Sequence, residues 1–418
     1  MLGRDAGLID EVRARFAHVA ECPFTGPRIF FENAGGALTL NSVVETSARH
    51  AAIPDNQGRD NPASAALMAA IARGRADAAT FFNAPGGQVI VGESGTELLF
   101  RMISVAALGT APGVVLGSTL EHPATASARA RWAGVAGKAN VSVPHDDATG
   151  TVTAAAYAAA VTPDTRVATI IHTSPVTGMG VDVAAAAAAI RAVAPACFII
   201  VDGIQHAAHG HVDIAAYGID GYAISPYKAF SRHGYGLAWL SDRLSDLPHN
   251  ALMGGPARNW ELGTRDTGSY ATFSDVVDYL DWLGGRVSGA HGRRARIEAA
   301  AAAIHAHEHD LCEAMLHGTG NQPGLADLPG VRVLGGIDNP AREGLVSLTV
   351  AGKGAAEVVA ALARRGIRVH ARKADHYSGN ILRPLGLEDC VRVSLCHYNT
   401  EAEVAAFLSA MREIAADG

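Results

Sequence analysis

Residues 197–230 read CFIIVDGIQHAAHGHVDIAAYGIDGYAISPYKAF. An apolar run, CFIIVDG, ends at Asp202 and Gly203. IQHAAHGHVDIAAYG follows with helical character, and a second apolar run, GYAIS, opens onto Pro226, Tyr227 and Lys228. Two short apolar runs flanking a helical stretch predict one βαβ unit of a parallel sheet covered on both faces. The two strand ends carry the polar residues. An aspartate closing a buried strand is costly unless a donor or cation meets it, and capping the next helix is its ordinary use. A lysine set among a serine, a proline and two aromatics ordinarily snorkels to water. Held in a partly dry pocket, the same amine loses hydration, its pKa falls, and it becomes a nucleophile for a carbonyl.

The alternation extends in both directions. QVIVG (88–92) precedes the helical GTELLFRMISVAAL, and GVVLG (113–117) precedes EHPATASARARWAGVAG. RVATIIHTS (166–174) precedes VDVAAAAAAIRAVAP, and GYGLAWLS (234–241) closes the series. The expected fold class is α/β with a mainly parallel sheet. Ligands of such sheets sit beyond the carboxyl ends of the strands, and Thr96, His122, Asp202, Gln205, Ser225 and Lys228 all fall there. Residues 285–310 read as one long helix leaving this domain. VRVLGG, GLVSLTV, IRVHAR and VRVSLCHY, interleaved with helices, then predict a smaller α+β domain. The expected division is an N-terminal segment 1–25 packing on the small domain, a large domain 26–284 and a small domain 285–418.

The chain has 418 residues and a net charge of −7, which argues against a nucleic-acid or anionic-membrane surface. No apolar run reaches the roughly 18 residues of a membrane span, and the first residues lack the apolar core of a secretory signal. Five cysteines, odd in number and without CxxC spacing, predict a reduced cytoplasmic protein with no metal centre. A nicotinamide dehydrogenase would suit the strand pattern, but no GxGxxG follows the first strand with an acid about 20 residues on.

Taken singly, each polar strand-end residue reads most simply as a cap or a structural group. In their order along the chain they match a known set. VDGIQHAAHGHVDI followed by SPYKAF and HGYG, with HYNTEAEV near the end, resembles the class V aminotransferase family of pyridoxal phosphate (PLP) enzymes. The similarity is closest to its cysteine desulfurase-like branch. The resemblance implies fold type I, with a seven-stranded type of large-domain sheet. It implies that Lys228 forms the Schiff base with the cofactor, that Asp202 partners the pyridine nitrogen, and that Gln205 donates to the phenolic oxygen. His122 would stack on the ring, with Tyr227 beside it, while Gly95, Thr96 and Ser225 would cradle the phosphate. Thr264 would reach the phosphate of a neighbouring subunit, which implies a homodimer with shared sites. Arg392 would clamp the carboxylate of an amino-acid substrate, a task that suits a planar guanidinium. Tyr377 and Asn33 complete the expected substrate side.

Three departures bear on function. Tyr227 stands where desulfurases carry a histidine, and Pro175 replaces a strand-end asparagine. The loop in ARKADHYSGNILRPLG contains no cysteine, where true desulfurases carry the thiol that accepts sulfur as a persulfide. The expected activity is aminotransferase or C–S/β-lyase chemistry on an amino acid. The alternatives are a desulfurase or selenocysteine lyase using another thiol, an epimerase, or a PLP-binding protein that has lost catalysis.

Overall fold

The computed structural model describes residues 2, 5–320 and 322–416; the extreme ends of the two outer segments expected from sequence lie outside these. Seven strands form the large sheet: β1 (Gln88–Gly92), β2 (Val114–Ser118), β3 (Ala139–Val143), β4 (Thr165–Ile171), β5 (Phe198–Asp202), β6 (Gly221–Ile224) and β7 (Gly236–Leu240). Their spatial order is β1-β7-β6-β5-β4-β2-β3. Only β7 runs against its neighbours, so the other six strands present their carboxyl ends along one edge. The runs IIV in β5 and YAI in β6 are wholly buried because helices cover both faces. The strand Ala139–Val143 was not read from sequence; it is an edge strand, largely exposed, with little apolar signal to read.

Four further strands, β8 (Val331–Val333), β9 (Leu345–Val350), β10 (His370–Lys373) and β11 (Asp389–Ser394), form an antiparallel sheet in the order β8-β9-β11-β10. Helices Ala355–Ala363 and Glu401–Ala416 pack on it, closing a second core around Val346, Leu348, Val391 and Phe407. The N-terminal stretch joins this part. Ile29 and Phe30 pair in parallel with Ile367 and Arg368, and Arg13 donates to the Tyr398 carbonyl at 2.6 Å.

Two helical expectations are corrected. Residues 204–218 hold only a 3-10 turn, His206–Ala208, and one helical turn, Ile214–Tyr217. The Gly203 N–H bonds the Ala223 carbonyl and the Ile204 N–H bonds the Asp202 carboxylate, so the chain leaves the strand in a tight turn. Asn83 then anchors Asp213 at 2.7 Å, away from a helical path. The long helix expected over 285–310 is instead two helices. α2 (Thr267–Val287) ends at Ser288, and α3 (Arg293–His317) begins after Gly292, whose φ of +89° breaks the run. The expected division between residues 284 and 285 therefore falls inside α2. Among the described residues no helix is long and apolar enough to cross a membrane.

Gly236 opens β7 opposite Gly92, at the strand edge where the polar residues gather. A Cβ added there would sit 2.2 Å from the Ser94 carbonyl carbon and 2.5 Å from the Gly95 nitrogen. Backbone cannot yield as a flexible side chain does. Gly236→Ala is expected to destabilise the protein by about 1–3 kcal/mol and to weaken phosphate binding at the Gly95 turn. Denaturant unfolding together with a phosphate-ligand titration checks this.

Candidate active site

Five of the six parallel strands, all but the edge strand β3, end at one cleft between the two sheets. Helix α1 (Gly95–Leu108) starts just beyond β1, with the Ser94 hydroxyl accepting from the Glu97 N–H at 3.1 Å. The N–H groups of Gly95 and Thr96 have no acceptor among the described residues. Such a helix start is a ready anion site. A Cβ on Gly95 would lie 2.5 Å from the Ser225 hydroxyl oxygen, so only glycine lets the turn settle against the Lys228 loop.

The cleft has two lobes. The inner one is small, about 70 Å³, and is lined by Thr96, His122, Asp202, Gln205, Ser225, Tyr227 and Lys228, with Thr173 and Pro175. The outer one, about 470 Å³, is shared by His122, Pro175, Tyr227 and Lys228 with Glu32, Gly35, His370, Arg372, Lys373, Asp375, Tyr377 and Arg392. Nine expected site residues are thus brought together. Gly95 sits behind Ser225, supporting the inner lobe.

Two expected residues are not in the cleft. The Asn33 amide donates to the Ser394 carbonyl at 2.8 Å and accepts from the Tyr398 hydroxyl, so it ties the N-terminal stretch to β11. Nothing in the sequence separates this use from substrate contact, since the partners are over 360 residues away. Thr264 is exposed in a separate groove with His50, Gln57 and Leu67.

Asp202 is buried. Its Oδ2 accepts from the Thr125 hydroxyl at 2.9 Å and its Oδ1 from the Ile204 N–H at 3.1 Å. Asp202 closes the tight turn at Ile204 and caps no helix, and no cation lies within ion-pair reach among the described residues. Burial pushes its pKa up, while the two donors and the Lys228 charge oppose that shift. Lys228 donates to Gln205 Oε1 at 3.3 Å. Burial, then the Arg392 charge, lowers its pKa to about 7, against the pull of Asp202. His122 caps the helix Pro123–Val135, its Nδ1 accepting from the Ala124 N–H at 3.2 Å. Burial, with Lys228 adding, takes its pKa down to about 3, so the ring is neutral and free to stack.

Arg392 is buried in β11. It donates to the Pro175 carbonyl at 3.0 Å, and its Nε has no partner. Burial, then the charge of Arg372, lowers its pKa to about 10. Sequence reasoning missed Thr125 and Arg372, and also His209. The His209 Nε2 meets the Gln205 amide nitrogen at 3.1 Å and its Nδ1 meets Glu308 at 2.7 Å. Glu308 lies on α3, 99 residues from His209, and no local pattern pairs them.

These residues suit a planar, anionic pyridine aldehyde. The free N–H groups at α1 fit a phosphate, the uncompensated Asp202 fits a ring cation, and the low-pKa amine fits an aldehyde carbon. Arg392, with only its Nη1 engaged, lines the outer lobe and fits a carboxylate there.

Comparison with known proteins agrees. The family model Aminotransferase class-V matches residues 29–407. A probable cysteine desulfurase of Mycolicibacterium paratuberculosis is 31% identical over 53% of this chain and 30% of its own length. The chain spans about a third of the length of the first curated relatives it matches. A cysteine desulfurase-like protein of Aspergillus flavus is 27% identical over 97% of this chain and 90% of its own. Among solved structures, a cysteine desulfurase of Thermococcus onnurineus NA1 superposes with a TM-score of 0.82 at 21% identity, covering 98% of both chains. One from Escherichia coli gives 0.78 at 23%, again over 98% of both. The fold is therefore PLP fold type I, and the family's enzymes use pyridoxal 5′-phosphate.

A lysine whose folded pKa lies near 7, below the ordinary lysine value of 10.5, binds fewer protons than the unfolded chain across that window. Stability contributed by this group rises with pH from about 7 to 10.5. Borohydride trapping of pyridoxal phosphate on Lys228 of the apoprotein is expected to rise with pH around a midpoint near 7. A midpoint near that of a free lysine would show the amine to be hydrated.

Proposed function

We propose that this chain, which belongs to the aminotransferase class-V family, is a PLP-dependent enzyme that breaks a bond at the Cα of an amino acid. It then completes transamination or β-elimination without a persulfide. When bound, the cofactor supplies an electron sink for the charge left at Cα. Lys228 would carry it covalently, Asp202 would pair with its ring nitrogen, and Gln205 would face its phenolic oxygen. His122 would cover the ring, while Gly95, Thr96 and Ser225 would take the phosphate.

The protein's own steps follow from the geometry. Arg392 binds the substrate carboxylate through its free Nη2 hydrogens, while the Pro175 carbonyl fixes Nη1. Lys228, with a pKa near 7, takes the Cα proton as general base at neutral pH. The rings of His122 and Tyr227 wall the junction of the two lobes and limit water there. Thr264, exposed and outside this chain's own cleft, is read as serving the phosphate site of a second copy in a homodimer.

One observation carries the exclusion of persulfide chemistry: no cysteine lines either lobe. Sulfur abstraction needs a thiolate within reach of the substrate's Cβ substituent. Holoenzyme incubated with L-cysteine and reductant is expected to show no persulfide adduct by mass spectrometry. An amino-acid screen should give either a ketoacid with aminated cofactor or pyruvate with ammonia, and the pair formed decides between aminotransferase and β-lyase. A persulfide on any cysteine with fast sulfide release refutes the reading.

Asp202→Ala is expected to retain cofactor but to lose at least about 100-fold in turnover, within the range for removal of a group that stabilises developing charge. Asp202→Glu should recover part of it. Near-normal turnover in the alanine variant would leave Asp202 only its structural bonds to Ile204 and Thr125.

A further inference from the structure

β10 and β11 pair antiparallel with His370 opposite Arg392 and Arg372 opposite Cys390. Residues directly opposite share a face, and alternate residues on one strand share it too. Arg372 and Arg392 therefore stand on the same face as diagonal neighbours, and both line the outer lobe. Like charges so placed repel, and removing either from water adds a further cost. A structural pair of this kind would ordinarily be offset by an acid. Among the described residues none lies within 4.0 Å of either guanidinium. The two acids that line the lobe are already engaged. Glu32 pairs with Arg368 at 2.7 Å and His370 at 3.2 Å. The Asp375 carboxylate accepts from the Tyr377 N–H at 2.8 Å.

Arg372 is also held in place. Its Nε donates to the Ser378 hydroxyl at 2.8 Å and its Nη2 to the Tyr377 carbonyl at 3.3 Å. Those bonds leave its Nη1 hydrogens without a protein acceptor. Arg372 lines the outer lobe and not the inner one, where the free N–H groups of α1 wait for a phosphate. The cofactor's anion thus has its own site, and one substrate carboxylate suffices for Arg392. Arg372 keeps a charge that no acid among the described residues pairs.

We propose that Arg372 binds an anionic group on the substrate's side chain, so that the cleft selects an acidic amino acid, with Arg392 holding the α-carboxylate and Arg372 the side-chain oxyanion. This rests on the cleft being an amino-acid site, and it adds the class of amino acid. A carboxylate and a sulfinate share the chemistry that a guanidinium recognises, two oxygens sharing one charge.

The test titrates the holoenzyme's visible cofactor band with L-aspartate, L-glutamate and L-cysteine sulfinate, and with the neutral isosteres L-asparagine and L-glutamine. At least one acid is expected to bind tenfold or more tighter than its amide, and the acid that binds best identifies the side chain. In Arg372→Gln that preference should fall to about one, and Arg372→Lys should restore part of it. A separate arm measures succinate, which has two carboxylates and no amine, by calorimetry on the wild type and Arg372→Gln. Binding to the wild type, weakened at least tenfold in the variant, supports the two-arginine site even if no visible band forms, an outcome that would sink only the cofactor reading. Equal affinity for aspartate and asparagine and for glutamate and glutamine, or a preference unchanged in Arg372→Gln, overturns the proposal. If the glutamine variant does not fold, the wild-type acid-to-amide ratio decides alone.

Discussion

The Asp202 carboxylate is buried at the end of β5 with two neutral donors and no cation to pair with. Burial of an isolated charge is among the most costly arrangements a fold can hold, and here it raises the carboxyl pKa. The rest of the cleft is arranged around that unbalanced charge. Lys228 stands on the next strand end, close enough for its charge to oppose the shift but itself partly desolvated. Neither group neutralises the other by direct contact. A ring that is cationic at one atom and reactive toward an amine at another meets both needs. The apoprotein is therefore poised for its ligand by what it leaves uncompensated.

The outer lobe depends on how the second sheet meets the first. Residues 29–34 run beside β11, where the Ser394 N–H bonds the Phe31 carbonyl at 2.8 Å and the Ala34 N–H bonds the Ser394 hydroxyl at 2.9 Å. Asn33 and Tyr398 lock that junction beside the strand that carries Arg392. Pro175 finishes the link. From sequence it is a lost side-chain contact. In the fold its backbone carbonyl binds Arg392, so the large domain aims the guanidinium with an atom that every residue type carries.

Much of this was legible in the sequence, for physical reasons. The buried parallel strands announce themselves as short β-branched runs, and a parallel sheet puts polar residues of interest at the strand ends. That reasoning found Thr96, His122, Asp202, Gln205, Ser225 and Lys228 without contact information. It failed where long-range register decides. The place of Arg372 follows from pairing β10 with β11. His209 meets Glu308 across 99 residues. Asn33 was expected at the site from the family resemblance, but its partners lie at the other end of the chain. Residues 204–218 have helix-forming composition, yet the turn at Gly203 and the Asn83–Asp213 bond overrule it.

The same register bears on the chemistry open to the cleft. Cys390 lies opposite Arg372, and two guanidinium charges pull its thiol toward ionisation. Burial opposes them and is the larger effect, so the thiol pKa is pushed up to about 11. At neutral pH a thiol of that pKa is ionised in only about one molecule in ten thousand, and the thiolate is the form that attacks sulfur. The strand that carries Arg392 thus holds its cysteine as a buried apolar filler beside Leu334 and Leu382. Charge placed on this face is expressed toward the outer lobe through Arg372 and Arg392, where it can meet a substrate anion. The sulfur on the same face is packed against Leu334 and Leu382, and no cysteine lines either lobe of the cleft.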